Sequence, residues 1–227
     1  MVCTAFFSIS CNPFCRQGSG PAGEESRVTD SFTSVETDIP VTVIIRKGPS
    51  PELKIVAQEN IRELITTRVS NGKLHIEANK CYKTEEPIRI EIRTAELSKI
   101  ELSGSGRITV VDTFQTKEAS IEISGSGNIE ARMIASSVDA AISGSGTVTL
   151  IGSANELNIE LSGSGGIEAT AMPCNKADVE VSGSGNIHIY ALEKLKAAVA
   201  GSGNIYYKGN PDVKSNISGS GKVVSNN

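Results

Sequence analysis

From residue 97 onward, apolar and polar residues alternate in short runs, and one four-residue phrase interrupts every run. The three residues before it read Ile100-Glu101-Leu102, Ile121-Glu122-Ile123, Ala140-Ala141-Ile142, Ile159-Glu160-Leu161, Val179-Glu180-Val181, Ala197-Ala198-Val199 and Ser215-Asn216-Ile217. The second residue after it is Ile108, Ile129, Val148, Ile167, Ile187, Ile205 or Val223. A period of two with β-branched residues on one face predicts half-buried strands. The phrase is Ser-Gly-Ser-Gly, at Ser103–Gly106, Ser124–Gly127, Ser143–Gly146, Ser162–Gly165, Ser182–Gly185 and Ser218–Gly221, with an alanine-led copy at Ala200–Gly203. Its first glycines recur every 18–21 residues, so one unit is stacked on itself.

Units of this kind predict an all-β fold, a single-stranded parallel β-helix with 18–21 residues per coil. Crossover connections favour the right hand. Equivalent positions of neighbouring coils lie about 4.8 Å apart and form ladders along the axis. Each buried Ile or Val contributes roughly 1.5–3 kcal/mol. Each glycine costs roughly 0.5–1 kcal/mol relative to Ala. The ladder therefore wins only when several coils stack, and no unit folds alone. Parity runs through the phrase, which puts both glycines inward and both serines outward at a tight corner. In the last coil Ser215 and Ser225 replace apolar residues, as a polar cap requires.

Upstream the strand signal is less regular, at Val41–Arg46, Leu53–Ala57, Lys73–Ala78 and Ile88–Thr94. Lys47–Pro51 and Ser70-Asn71-Gly72 read as turns, and Glu59–Thr66 as one or two helical turns. Residues 28–227 are expected as one body, with irregular coils first and phrase-bearing coils from about 97. Residues 1–27 divide into an apolar leader, Cys11 and a Gly/Ser/Pro/Glu tether. Small residues before a cysteine, then a tether, match the end of a lipoprotein signal peptide. Cys11 is thus the candidate for lipidation. No Lys or Arg precedes the apolar stretch, which is short for a complete signal, so the true start is expected upstream. Cys15 falls in the tether. Cys81 and Cys174 are expected as buried free thiols, with a Cys81–Cys174 bridge as the alternative.

The phrase Gly-Ser-Gly-Asn-Ile at 125–129, 183–187 and 201–205 resembles the head GIN domain of putative autotransporter adhesins. Cys11–Gly20 and Glu96–Gly106 resemble that family's start and its entry into the repeats. The likeness covers nearly the whole chain. It implies a β-helical, lipid-anchored or secreted envelope protein of Gram-negative bacteria, at the outer membrane, the cell surface or the periplasmic face. It implies no chemistry and supplies no catalytic residue.

Net charge is −4, with no basic stripe, which argues against nucleic acid as a partner. No stretch nears the roughly 20 apolar residues of a membrane-spanning helix, so membrane association is expected through a lipid anchor alone. The outward row Glu101, Glu122, Glu160 and Glu180 is a candidate ligand-facing ladder. Stacked carboxylates repel by roughly 0.9 kcal/mol in water, which a cation or a basic partner would relieve; a solvated acidic face is the plainer reading. The serine rows could bind a sugar chain, but small side chains at a tight corner explain them better. His188, Tyr190 and Tyr206 form a candidate aromatic patch for sugar rings. His75 and His188 are expected to lack partners at catalytic or metal spacing. No cofactor, metal site or catalytic residue is expected. The chain reads as a non-catalytic surface module, adhesin-like or structural, whose partner is a glycan or another surface protein. A carbohydrate-active β-helix enzyme, a pectinase-like glycosidase or lyase, is the alternative.

Overall fold

The computed structural model describes residues 15–227; the expected leader and Cys11 lie outside them. The chain winds into a β-solenoid of about seven turns. Ile108, Ile129, Val148, Ile167, Ile187, Ile205 and Val223 pair in register through parallel strands. All but Val223 are buried. Val43 and Ile90 extend this ladder by two coils beyond the phrase-bearing region.

Long strands such as Asn128–Gly144 and Thr147–Gly163 run from one glycine corner to the next. Odd residues point inward from Ile129 to Ala135, and even ones from Val138 to Ile142. The parity switch at Ser136-Ser137 is a second corner, and it recurs in register at Glu156 and Lys176. The unequal spacings between Gly144, Gly163, Gly183 and Gly201 are absorbed between the two corners. There the pairing shifts register, at Thr149–Ile151 and between Ala169 and Lys176. The apolar ladders on either side stay aligned.

The two glycines of each phrase do different work, which corrects the expectation that both face inward. Gly127 is buried, and a Cβ there would lie 2.8 Å from the Gly106 carbonyl oxygen and against Leu102. Gly125 has a φ of +130°, and its Cβ would come within 2.6 Å of the Gly104 carbonyl oxygen in the preceding coil. One glycine clears the core; the other lets successive coils touch through their backbones.

The N-terminal coils are not stacked in chain order. Strand Ser34–Thr37 lies between Lys73–Ala78 on one side and Lys99–Gly104 on the other. Thr42–Lys47 likewise lies between Arg89–Thr94 and Arg107–Val110. Residues 73–94 therefore form the outer coil and residues 34–47 the second. Antiparallel strands close that end. Glu52–Gln58 pairs with both Arg89–Thr94 and Ala22–Arg27, and Ile65–Ser70 pairs with Lys73–Ala78. The Asn71-Gly72 turn, with φ of 51° and 73°, has the two left-handed residues that a tight hairpin needs. A single helical turn, Glu59–Arg62, precedes that hairpin.

Two expectations about the first residues are corrected. Cys15 is bonded to Cys81, and Arg16–Gln17 pairs with Tyr82–Lys83. Ala22–Arg27 is an edge strand of the main sheet. Residues 15–27 thus belong to the body rather than to a free tether. Cys81, expected as a free thiol or as the partner of Cys174, is thus bridged to Cys15 instead. Among the described residues Cys174 is the free cysteine, and burial pushes its pKa up to about 12, which leaves it inert. At the other end Ser215 and Ser225 are exposed, and Ile217 is 43% exposed.

Candidate functional site

The outward residue before each glycine corner stacks on its counterpart from coil to coil. The row reads Glu36, Glu101, Glu122, Ala141, Glu160, Glu180, Ala198 and Asn216. The next outward row is serine in all but one coil, Ser103 to Ser218. Between them runs a groove of about 580 Å³, floored by Leu102, Ile123, Ile142, Leu161, Val181 and Val199. The four candidate glutamates all line it. Strand alternation explains this, because each floor residue is held by the core and its neighbours must point out.

The charge of the row is not uniform. Lys99 Nζ lies 3.2 Å from Glu101 Oε1 and 2.8 Å from Glu122 Oε1. Lys73 Nζ lies 3.2 Å from Glu36 Oε2 and also pairs with Glu101. Ser120 Oγ donates to Glu122 at 2.9 Å. The hydrogen bond from Lys99 holds the Glu122 carboxyl below the usual carboxylate range. The same contacts raise Lys99 and Lys73. The repulsion expected along the ladder is therefore relieved from within at three of its carboxylates. Glu160 and Glu180 face each other in register and have no ion pair among the described residues. No group of three or more metal-ligating side chains is present among the described residues.

The aromatic candidates are brought partly together. His188 and Tyr206 pair in register with ring centroids 4.7 Å apart at 38°. Glu168 Oε1 lies 3.7 Å from His188 Nε2. Tyr190 stands one outward position further along, opposite Lys208. His75, expected to lack a partner at catalytic or metal spacing, has three, with Glu77 Oε1 3.9 Å from Nδ1 the farthest. Its Nε2 lies 2.9 Å from Ser70 Oγ and its Nδ1 lies 3.1 Å from Glu36 Oε2. Chain order conceals this cluster, because Glu36 reaches His75 only through the exchanged order of the first coils. The Asn71-Gly72 hairpin signal could have placed Ser70 near His75, but not Glu36. Cys11, the lipidation candidate, lies outside the described residues.

The described residues form a repetitive parallel solenoid with a groove along its glycine edge. The family model described as putative auto-transporter adhesin, head GIN domain, matches residues 31–211, and the chain belongs to that family. The chain is similar to a putative adhesin from Bacteroides fragilis NCTC 9343, with a TM-score of 0.87 at 25% identity over 92% of this chain and 99% of that one. It is also similar in fold to a putative lipid binding protein from Parabacteroides distasonis ATCC 8503, with a TM-score of 0.79 at 23% identity over 93% and 99% of the two chains. A putative adhesin from Parabacteroides merdae ATCC 43184 has a TM-score of 0.70 at 20% identity over 93% and 98%. No curated protein matches.

Proposed function

We propose that this chain is an adhesin-like binding module of the cell envelope, which takes up an extended ligand along its glycine-edge groove. The observation that carries this reading is the groove itself, repeated coil by coil between a carboxylate row and a hydroxyl row. Such a site makes many weak, equivalent contacts, which add up along a repetitive partner. A glycan chain suits the alternating hydroxyls, carboxylates and apolar floor; a strand of another surface protein is the second candidate. The groove does no chemistry in this reading. Glu122 is its shifted carboxyl, and it is held ionised, the opposite of what a glycosidase's general acid needs.

The envelope location is supported by the adhesin family and by the Cys15–Cys81 bond, since disulfides persist in oxidising compartments. Lipidation at Cys11, just ahead of that bond in the chain, would hold the antiparallel end of the solenoid nearest the membrane. The test is a glycan array, run beside a polysaccharide-cleavage assay and a fractionation of cells carrying Cys11→Ala. The expected results are binding without cleavage, weakened by joint Glu160→Gln and Glu180→Gln, and release of the variant from membranes. Cleavage of a polysaccharide abolished by one groove carboxylate would overturn the binding reading, and an unacylated wild type in the soluble fraction would overturn the anchor.

A further inference from the structure

The hairpin made by Ile65–Ser70 and Lys73–Ala78 forms the outer edge of one face at the antiparallel end. Its outward side chains and those of the neighbouring strand Ser34–Thr37 meet in one cluster. Arg68 Nη1 lies 3.3 Å from Ser70 Oγ and can only donate to it. Ser70 Oγ lies 2.9 Å from His75 Nε2, a contact whose direction is set by the ring tautomer. Nδ1 lies 3.1 Å from Glu36 Oε2 and 3.9 Å from Glu77 Oε1, and ionised carboxylates can only accept, so in the neutral ring the proton is favoured on Nδ1 and Nε2 accepts from Ser70. Lys73 Nζ, 3.2 Å from Glu36 Oε2, pairs with that carboxylate. The His75 side chain is 16% exposed, which shields the relay, while the hairpin tip stays open.

We propose that Ser70, His75 and Glu36 form a serine-hydrolase relay that cleaves carboxylic esters. Nucleophile, base and orienting carboxylate meet on the two ring nitrogens in the order that acyl transfer requires. Ser70 Oγ attacks the ester carbonyl carbon while its proton passes to His75 Nε2. The tetrahedral oxyanion collapses, and the alcohol leaves with the proton from Nε2. Water, deprotonated by His75, then attacks the acyl-serine, which releases the carboxylic acid and restores Ser70. In this relay the oxyanion would be met by donors next to Ser70. The amides of Asn71 and Gly72 directly follow the nucleophile and have no acceptor among the described residues. Arg68 donates to Ser70 Oγ at 3.3 Å through Nη1 and to Glu77 Oε1 at 3.5 Å through Nη2. Glu36, the positioning residue, also lines the mouth of the groove. Ester substituents on a chain lying there are the substrate class this placement fits, a point that rests on the binding reading; the relay itself does not.

The test treats the full chain, disulfide intact, with a fluorophosphonate probe and with p-nitrophenyl acetate, neither of which needs a ligand in the groove. The expected result is a single adduct on the Ser70 peptide. Ester hydrolysis is expected to fall by about 10²–10⁴-fold in Ser70→Ala and in His75→Gln. His75→Gln keeps a side chain that can hydrogen-bond both neighbours, so its melting temperature checks that the hairpin is intact. Glu36→Gln is expected to lower kcat with KM unchanged. In a Ser70→Cys background, iodoacetamide alkylation is expected to be faster than in Ser70→Cys with His75→Gln. A wild type that takes up no adduct, labelling at the wild-type rate in His75→Gln, or equal alkylation of the two cysteine variants would each overturn the proposal.

Discussion

The glycines of the corner phrase show how one atom decides the fold. At Gly144 φ is +130°, and a Cβ would strike the carbonyl of Gly125 in the coil below. Backbone and neighbour both resist, so Gly144→Ala is expected to lose about 1–3 kcal/mol, read as a lower denaturation midpoint. Gly20→Ala is the control, since it has a positive φ and open space within 4 Å, and it should cost less. Equal losses at the two sites would show that contact between coils is not the reason for glycine. A second residue-scale prediction concerns acid. Lys99 depresses the Glu122 pKa, so the ionised pair stabilises the fold above the ordinary carboxyl value of 4.5 and is lost as pH falls below it. The Glu122 side chain is 45% exposed, so the effect is small. Lys99→Met should melt below wild type at pH 7, with the two curves converging toward pH 3. Parallel curves across that range would rule the pair out as a source of acid sensitivity. The Glu row was legible because strand parity places it without knowledge of the stack. Its partner Lys73 was hidden, because it comes from a coil whose place in the stack departs from chain order.

At the scale of elements, period-two alternation locates the strands well because burial on one face dictates it. Pairing between strands is legible only where a repeat supplies the register. Ile129, Val148 and Ile167 could be aligned by counting from their glycines, and they do lie adjacent. Ser34 could not be matched to both Lys73 and Lys99, because neither separation along the chain is a single repeat and no phrase marks the start of those coils. The Cys15–Cys81 bond was hidden for the same reason. It closes a loop across 66 residues and ties the strand Ala22–Arg27 to the end of the stack. Loop-closure entropy puts its contribution near 4 kcal/mol as a rough ceiling. Reduction, or Cys15→Ser, is expected to lower the melting temperature and to open amide exchange first in residues 16–27. Uniform exchange along the chain would mean that the bond supports the whole solenoid rather than its end.

For the whole molecule, the arrangement is close to one-dimensional: each coil touches mainly its two neighbours, and stability is a sum over coils and their interfaces. A charge set into the shared ladder should therefore break the stack locally. Val148→Asp places a carboxylate between Ile129 and Ile167, where the residue is fully buried. It is expected to lose several kcal/mol and to expose the flanking coils to protease before the antiparallel end. Removing a whole coil is a different change. Gly144 and Gly163 are equivalent positions in successive coils, so joining Gly144 to Ser164 deletes one repeat and keeps the corners on either side. Coils flanking the cut then meet as Ile129 on Ile167, both of which already pack on Val148. The shortened chain is expected to fold with a circular dichroism spectrum like that of the parent and a modestly lower melting temperature, while the single substitution Val148→Asp costs more than losing the entire coil. The same deletion shortens the groove by about 4.8 Å and removes Glu160. A ligand held by many equivalent contacts should then bind only slightly less tightly, whereas one held at a single point should either be unaffected or lose binding entirely. Titrating any glycan found on the array against the parent and the shortened chain separates these outcomes, and an all-or-none change would sink the distributed-contact reading.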